Sequence, residues 1–435
     1  MQNKSNKLKP YLLFWNTQSL SALGSLMTSY ALGLWLYINS GSALKTALLT
    51  ICSYTPYVAM SIFAGALSDK WNKKRTILIS DLFAALTTAA AFLLIKSETL
   101  EPWHLYLINC LNGLMNTIQQ PASEVVSTQL IPKEYYQKTS GLRSISQSLN
   151  TLLTPVLATP LFAFGGISAV IAVDLTTFAA AFIVLLLFIQ IPEPKKADTP
   201  NESLLSSARA GLSWLRSSAL ILKLIFFLAC INLIASAYES ALSPMVISRA
   251  AGGKSVFGAV SFCAGAAAFA GSFLASALPA PKNRIRTICL ALFVSMSTEN
   301  FMLAFGRSPV IWCVGALLGW LFIPYMSANM DVIFRNTIPV EMQGRVYACR
   351  NTLQFFTIPI GSFAGGALID GFFTPLMSRQ PDNSRLVFLF GSGKGTGAAM
   401  FLAVLGFAGV AVCTIFSLLL RKERFNETAS DAKHK

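Results

Sequence analysis

Apolar runs long enough to cross a lipid bilayer recur along this chain, separated by short segments that hold most of its charge. An α-helix rises 1.5 Å per residue, so about 20 apolar residues cover the ~30 Å hydrocarbon layer. Twelve segments meet that length: 11–38, 44–67, 76–96, 102–124, 141–163, 167–190, 219–244, 256–278, 287–306, 309–332, 346–373 and 396–420. Lipid offers the backbone no hydrogen-bond partner, and a run of this length can satisfy its own amides only as a helix. Of the 435 residues, 12% are charged, about half the soluble average, so most of the outer surface is expected to face lipid. The expected fold class is therefore an all-α membrane protein with twelve transmembrane helices. The opening "MQNKSNKLKP" precedes a run that continues to about residue 38 without a small-residue cleavage site, which reads as a first span rather than a signal peptide.

The net charge of +15 does not imply nucleic acid, because the basic residues are dispersed among short inter-span segments instead of lying on one soluble face. They report topology. With the N-terminus on the cytoplasmic side, 26 of the 34 Lys and Arg residues fall in inner segments and 8 in outer ones. The positive-inside rule then places both termini in the cytoplasm of a cell-membrane protein. The eight cysteines form no CxxC pair and lie in or beside apolar runs, where they read as small hydrophobes. The two histidines, His104 and His434, support no metal cluster and no Ser/His/Asp set. "GSGKGTG" at 391–397 resembles a phosphate loop, but Phe388 stands where its first glycine belongs and Gly395 where a Ser or Thr should follow Lys394. No cofactor, no metal and no enzyme activity are expected.

The longest inner segment separates six spans from six. It divides the chain into 1–190, a linker at 191–218, 219–420 and a cytoplasmic tail at 421–435. Within the linker, Leu205, Ala208, Leu212 and Leu215 recur at helical spacing, as in a short amphipathic helix lying along the inner membrane face. The halves also resemble each other. "IPKEYYQKTSGLRSISQ" (131–147) and "IPVEMQGRVYACRNTLQ" (338–354), offset by 207, share Ile, Pro, Glu, Arg and Gln, the arginines being Arg143 and Arg350. Acidic Glu124 stands opposite acidic Asp331 at the same offset. Such a repeat places a binding cavity between its copies near the membrane midplane.

After the second span the chain reads "GALSDKWNKKR". Gly65, Leu67, Asp69, Lys70, Asn72, Lys73 and Lys74 fill the pattern G-x-L-x-D-(R/K)-x-(G/N)-(R/K)-(R/K) in order. This resembles the loop between helices 2 and 3 of the major facilitator superfamily. "NSGSALKTALL", "QQPASEVVSTQLIPKEY" and "ARAGLSWLRSSALILKLI" resemble its macrolide-efflux and enterobactin-exporter-like branch. Two features depart from that branch. Thr154–Pro155 stands where efflux members carry Gly-Pro, and "NCLNGLMNTIQQ" lacks the arginine that many antiporters have in helix 4. The resemblance implies two six-helix bundles and a monomer in the bilayer. It also implies secondary active transport by alternating access, with an amphipathic small molecule (drug, macrolide or siderophore-like) exported against a coupling ion, the proton. Uptake of a nutrient and flipping of a lysolipid are the alternatives within transport. A membrane enzyme or a non-transporting sensor stands outside it.

The resemblance further implies a gate at the inner surface. Asp69 would face the start of helix 11, near Tyr347 to Arg350, across the seam. Lys73 or Lys74 would reach Glu124, with Gly65, Lys70, Arg143 and Arg350 in the same set. The other reading of these lysines is that they only set topology. Inside the spans, polar residues form stripes three and four apart: Gln18, Ser21, Ser25 and Thr28; Asn109, Asn112, Asn116 and Gln119; Asn232, Ser236, Glu239 and Ser243. Each stripe either lines a substrate and proton cavity or hydrogen-bonds neighbouring helices. Glu239 stands out because an acid within a span is costly and so suggests function, although it also lies near enough to the outer surface to reach headgroup water. Asp81, Asp174 and Glu299 rank below it, since the family places helices 3, 6 and 9 on the periphery.

Overall fold

Backbone polarity in a low-dielectric surrounding is met here entirely by helices among the described residues. The computed structural model describes residues 9–131, 136–191, 204–339 and 342–421. Helices α1 (Lys9–Ser40), α2 (Ala43–Lys70), α3 (Lys73–Lys96), α4 (Pro102–Leu130) and α5 (Tyr136–Leu187) make up the first half. The linker helix α6 (Leu204–Ser217) follows, and then α7 (Ala219–Ser248), α8 (Lys254–Ala277) and α9 (Arg284–Phe305). After these come α10 (Pro309–Leu321), α11 (Ile323–Thr337), α12 (Gln343–Phe355) and α13 (Thr357–Leu368). A π segment, Ile369–Phe373, leads to α14 (Thr374–Ser378), α15 (Arg385–Phe390) and α16 (Thr396–Leu419). Among the described residues nine helical stretches are individually long and apolar enough to cross a membrane.

Several expected spans are not single straight helices. The fifth and sixth run on as α5, bent at Gly166, whose φ of 66° is open to glycine at little cost. The tenth breaks at Phe322 into α10 and α11, with Pro324 in the first turn of the second piece, where a missing N–H is harmless. The eleventh comprises α12, α13, the π segment and α14.

The chain forms two compact units. One is Met1–Gly41 with Leu48–Leu204, and the other is Ser42–Ala47 with Leu205–Lys435. The first turn of α2 thus groups with the second unit and the rest of that helix with the first. In the first unit α1 packs along α5, and α3 lies against α4 and α5. Leu23, Met27, Ala31, Leu36, Leu105, Val170 and Ile171 fill its core. In the second, α7 packs on α13 and α16, while α9 contacts α10, α11 and α16. Phe227 of α7 stacks on Phe416 of α16 at 4.8 Å, and Trp312 and Phe334 are fully buried. Phe164, Leu187, Val310 and Phe407 point outward from the units, an arrangement that suits lipid and not water.

The linker helix is amphipathic, as its spacing suggests, and protein covers part of its apolar side while Leu212 stays exposed. Leu215 is fully buried, and Gly211 lies so near the Arg345 carbonyl of α12 that a Cβ would come within 2.6 Å of the oxygen. Arg209 and Arg216 remain exposed, and the side chains of Leu205 and Ala208 lie outside those described. The two units also share a capping device. Asn72 accepts a hydrogen bond from the Arg75 amide to start α3, and Asn283 accepts one from the Arg286 amide to start α9. "NKKR" therefore corresponds to "NRIR" at an offset of 211. That is four residues more than the offset of 207 relating 131–147 to 338–354.

Candidate functional site

Of the gate residues, Gly65, Asp69, Lys70, Glu124 and Arg143 lie outside the described side chains. Lys74 is placed beside the end of α5. Its Nζ donates to the carbonyls of Leu186 at 3.0 Å and Ile189 at 2.7 Å, at the C-terminal end of α5. The last carbonyls of a helix have no partner within it and carry partial negative charge, so an ammonium there is favourable. Lys73 is buried, with its Nζ 3.4 Å from the Trp71 carbonyl. Arg350 bonds Gln354 at 3.1 Å and lies 4.3 Å over the Phe334 ring, which holds it to the second unit's own helices.

The polar stripes of the first unit meet acids. Asp81 of α3 accepts from Gln119 of α4 on Oδ1 at 2.5 Å and from Gln18 of α1 on Oδ2 at 3.3 Å. One carboxylate thereby ties three helices. Ser25 donates to Asp174 at 3.1 Å, and Asp174 is itself buried against Gly24, where any Cβ would collide with the Thr177 hydroxyl. Thr87 donates to Asn112 at 2.9 Å, while Asn109 bonds the Leu105 carbonyl of its own helix. Gln18, Ser25, Asn112 and Gln119 therefore join helices. Ser21 is half-buried and Asn116 is exposed. The supposedly peripheral acids are the hubs, and that is what the ranking from sequence missed. Beside them, α1 and α5 enclose an apolar cleft of about 470 Å³ lined by Leu20, Gly24, Met27, Pro160, Phe164 and Val173 among others.

On α7 the stripe divides. Asn232 donates to the Gln354 carbonyl at 3.1 Å, and Ser236 is buried against Gly361 and bonds the Leu233 carbonyl. Glu239 is exposed and has no hydrogen-bond partner among the described residues. The preceding residue, Tyr238, points the other way and donates to Glu299 of α9 at 2.6 Å. Among the described residues no group of three or more His, Cys, Asp or Glu side chains is placed to hold a metal ion.

Two contacts at helix ends lie outside every stripe. Asp370, in the π segment, accepts from the Ser42 hydroxyl at 2.5 Å and from the amides of Ala43 at 3.1 Å and Leu44 at 3.0 Å. Those amides open α2 and would otherwise lack partners. Gly366 allows the approach, because a Cβ there would come 2.5 Å from the Leu44 Cα. Arg249, just past α7, donates at 2.6 Å to the Gly306 carbonyl that ends α9 and also to the Phe390 carbonyl of α15. Burial, and then the neighbouring Arg307 charge, bring its guanidinium down to about 10, so it remains charged at neutral pH. Neither contact carries a sequence signal beyond the residue type, since the partners lie 57 to 328 residues away.

The model of the family described as "Major Facilitator Superfamily" matches residues 14–362. Macrolide efflux protein A of Streptococcus pyogenes is 22% identical over 371 residues, covering 84% of this chain and 90% of that protein. Enterobactin exporter EntS of Shigella flexneri is 24% identical, covering 78% of this chain and 80% of its own length. A crystal structure of a mutant of the nucleoside transporter NupG superposes with a TM-score of 0.67 at 13% identity, over 95% of this chain and 99% of that one.

Proposed function

As the chain belongs to the Major Facilitator Superfamily, and is on that ground a multi-pass membrane transporter of small molecules and not an enzyme, we propose that it exports an amphipathic compound in exchange for protons. The halves 1–190 and 219–420 would carry an alternating-access cycle in the cytoplasmic membrane, with both termini inside. The observation that carries the coupling is Glu239. Its stripe neighbours Asn232 and Ser236 are taken up by packing and hydrogen bonds, whereas this acid stays exposed without a partner among the described residues. An ionisable group kept free inside a span is costly, and binding and releasing a proton or meeting a cationic substrate gives it a use. The outward direction and the amphipathic substrate are supported by the relatives named for macrolide efflux and enterobactin export. The apolar cleft beside α1 fits a lipophilic ligand.

The test uses sealed inside-out vesicles carrying a pH-sensitive dye, an imposed proton gradient, and a panel of macrolides, other lipophilic antibiotics and siderophores. At least one compound is expected to dissipate the gradient with the wild type, and Glu239→Gln is expected to abolish that effect. Equal movement with both proteins would remove Glu239 from the proton path. No movement with any compound would count against export and in favour of uptake or lysolipid flipping.

A further inference from the structure

Deep in the second unit, between α7, α9 and α10, lies a carboxylate that meets no cation among the described residues. Glu299 is 5% exposed. Its Oε1 accepts from the Tyr238 hydroxyl at 2.6 Å and from the Trp320 Nε1 at 3.2 Å, both neutral donors. Both are directed at the same oxygen. The other, Oε2, faces Gly319, where a Cβ would come within 2.5 Å, and it receives no donor among the described residues. Tyr238 and Glu239 of α7 are the titratable groups that act on Glu299, and Glu239 bears a charge of the same sign. Helix α10 contributes only the neutral Gly319 and Trp320. The helices α11, α15 and α16, also packed on α9, place no charged group against it among the described residues.

A carboxylate withdrawn from water without a partner of opposite charge costs several kcal/mol, and a single proton removes that cost without changing the shape of the group. Two of the acids that join elements look different. Asp81 has a separate amide on each oxygen, and Asp370 distributes three donors over its two. Neither of those leaves a carboxylate oxygen without a donor. Glu299 has one oxygen solvated by donors and one left bare, the pattern of a carboxylic acid whose bare oxygen carries hydrogen.

We propose that Glu299 is a proton-binding residue of the transport cycle, taking one proton onto Oε2 from one aqueous side and returning it to the other, with no other bond made or broken. Tyr238 connects this event to α7, because the residue that donates to Glu299 is the backbone neighbour of the accessible Glu239. This deepens the proton-coupled reading by naming a second acid, and its coupling part rests on that reading.

The first readout needs no substrate. The full-length protein in lipid nanodiscs would be titrated from about pH 5 to about 9, a range wide enough for a buried acid, and followed by infrared difference spectroscopy in the carboxylic-acid C=O region. Glu299→Gln keeps an oxygen acceptor for Tyr238 and Trp320 but cannot titrate. The expected result is a carboxylic-acid band that disappears with rising pH in the wild type and is missing from Glu299→Gln. Tyr238→Phe should shift the frequency of that band without removing it, which guards against misreading a misfolded variant. A pH-difference spectrum identical in the wild type and Glu299→Gln, with no component lost beyond that of Glu239, or a wild type with no titrating band, overturns the proposal. The second readout is gradient-driven movement of whichever panel compound the wild type transports. At least a tenfold loss in Glu299→Gln is expected, and a wild-type rate would overturn the coupling role. If the wild type moves no panel compound, the export reading fails, while the infrared result still decides whether Glu299 binds a proton.

Discussion

The ammonium of Lys74 stands at hydrogen-bond distance from two carbonyls that end α5, and at this scale its value is that of a terminal cation. The Leu186 carbonyl is in the last turn of the helix, the Ile189 carbonyl lies just past its end, and the side chain is only half-buried, so the gain is modest. Lys74→Ala is expected to lower stability by about 1 kcal/mol, read as a reduced thermal-denaturation midpoint in detergent, while Lys74→Arg stays close to wild type. If Lys74 acted only as a topological marker, both variants would melt like the wild type. Other single residues follow the same logic. Asn72 lies inside the motif that resembles a gating loop, yet its side chain starts α3. A motif that resembles a gating loop thus also supplies a helix cap.

At the scale of elements, the first turn of α2 is held by a carboxylate that arrives from the π segment. The extra residue per turn in a π segment re-aims side chains locally. Here it sits where Asp370 must meet three donors at once. Side-chain caps of this kind are worth about 0.5–2 kcal/mol. Asp370→Ala is expected to accelerate hydrogen exchange at the Ala43 and Leu44 amides by about tenfold, the rate equivalent of 1.4 kcal/mol, with Asp370→Asn intermediate because one of its two terminal atoms no longer accepts. Unchanged exchange at both amides would mean that the turn is held by packing at Gly366 alone. The same first turn groups with the second unit while the remainder of α2 groups with the first. A cap on that turn therefore acts on a helix that the unit boundary divides.

For the whole molecule the governing quantity is the distribution of charge among the inter-span segments. The proposed orientation, with both termini inside, rests on the 26 of 34 basic residues that it puts in inner segments. Alkaline phosphatase, active only outside the cytoplasm, is expected to be inactive when fused after Ser218 and active when fused after Gly253. The reverse pattern would invert the topology and, with it, the outward direction proposed for transport. Arg249 does not fit a pure topology reading. It lies in an outer segment, yet its charge is occupied by the carbonyls of Gly306 and Phe390.

That the chain is built of apolar spans could be read from residues alone, because each span depends on a stretch of about 20 residues meeting lipid. The amphipathic period of 204–217 and the strong loop motif were legible for the same reason, being local. The family followed from that motif. The partners of the polar residues were not legible. Gln18 and Asp81 are 63 residues apart, Tyr238 and Glu299 61, Ser42 and Asp370 328. A stripe of amides shows that a helix face must meet something polar, but both a cavity and a neighbouring acid satisfy that demand. Only the packing of α1 against α3 and α4, and of α7 against α9, decides between them. Helix periodicity fixes the direction a side chain takes from its own axis, and tertiary structure alone sets what stands there to receive it.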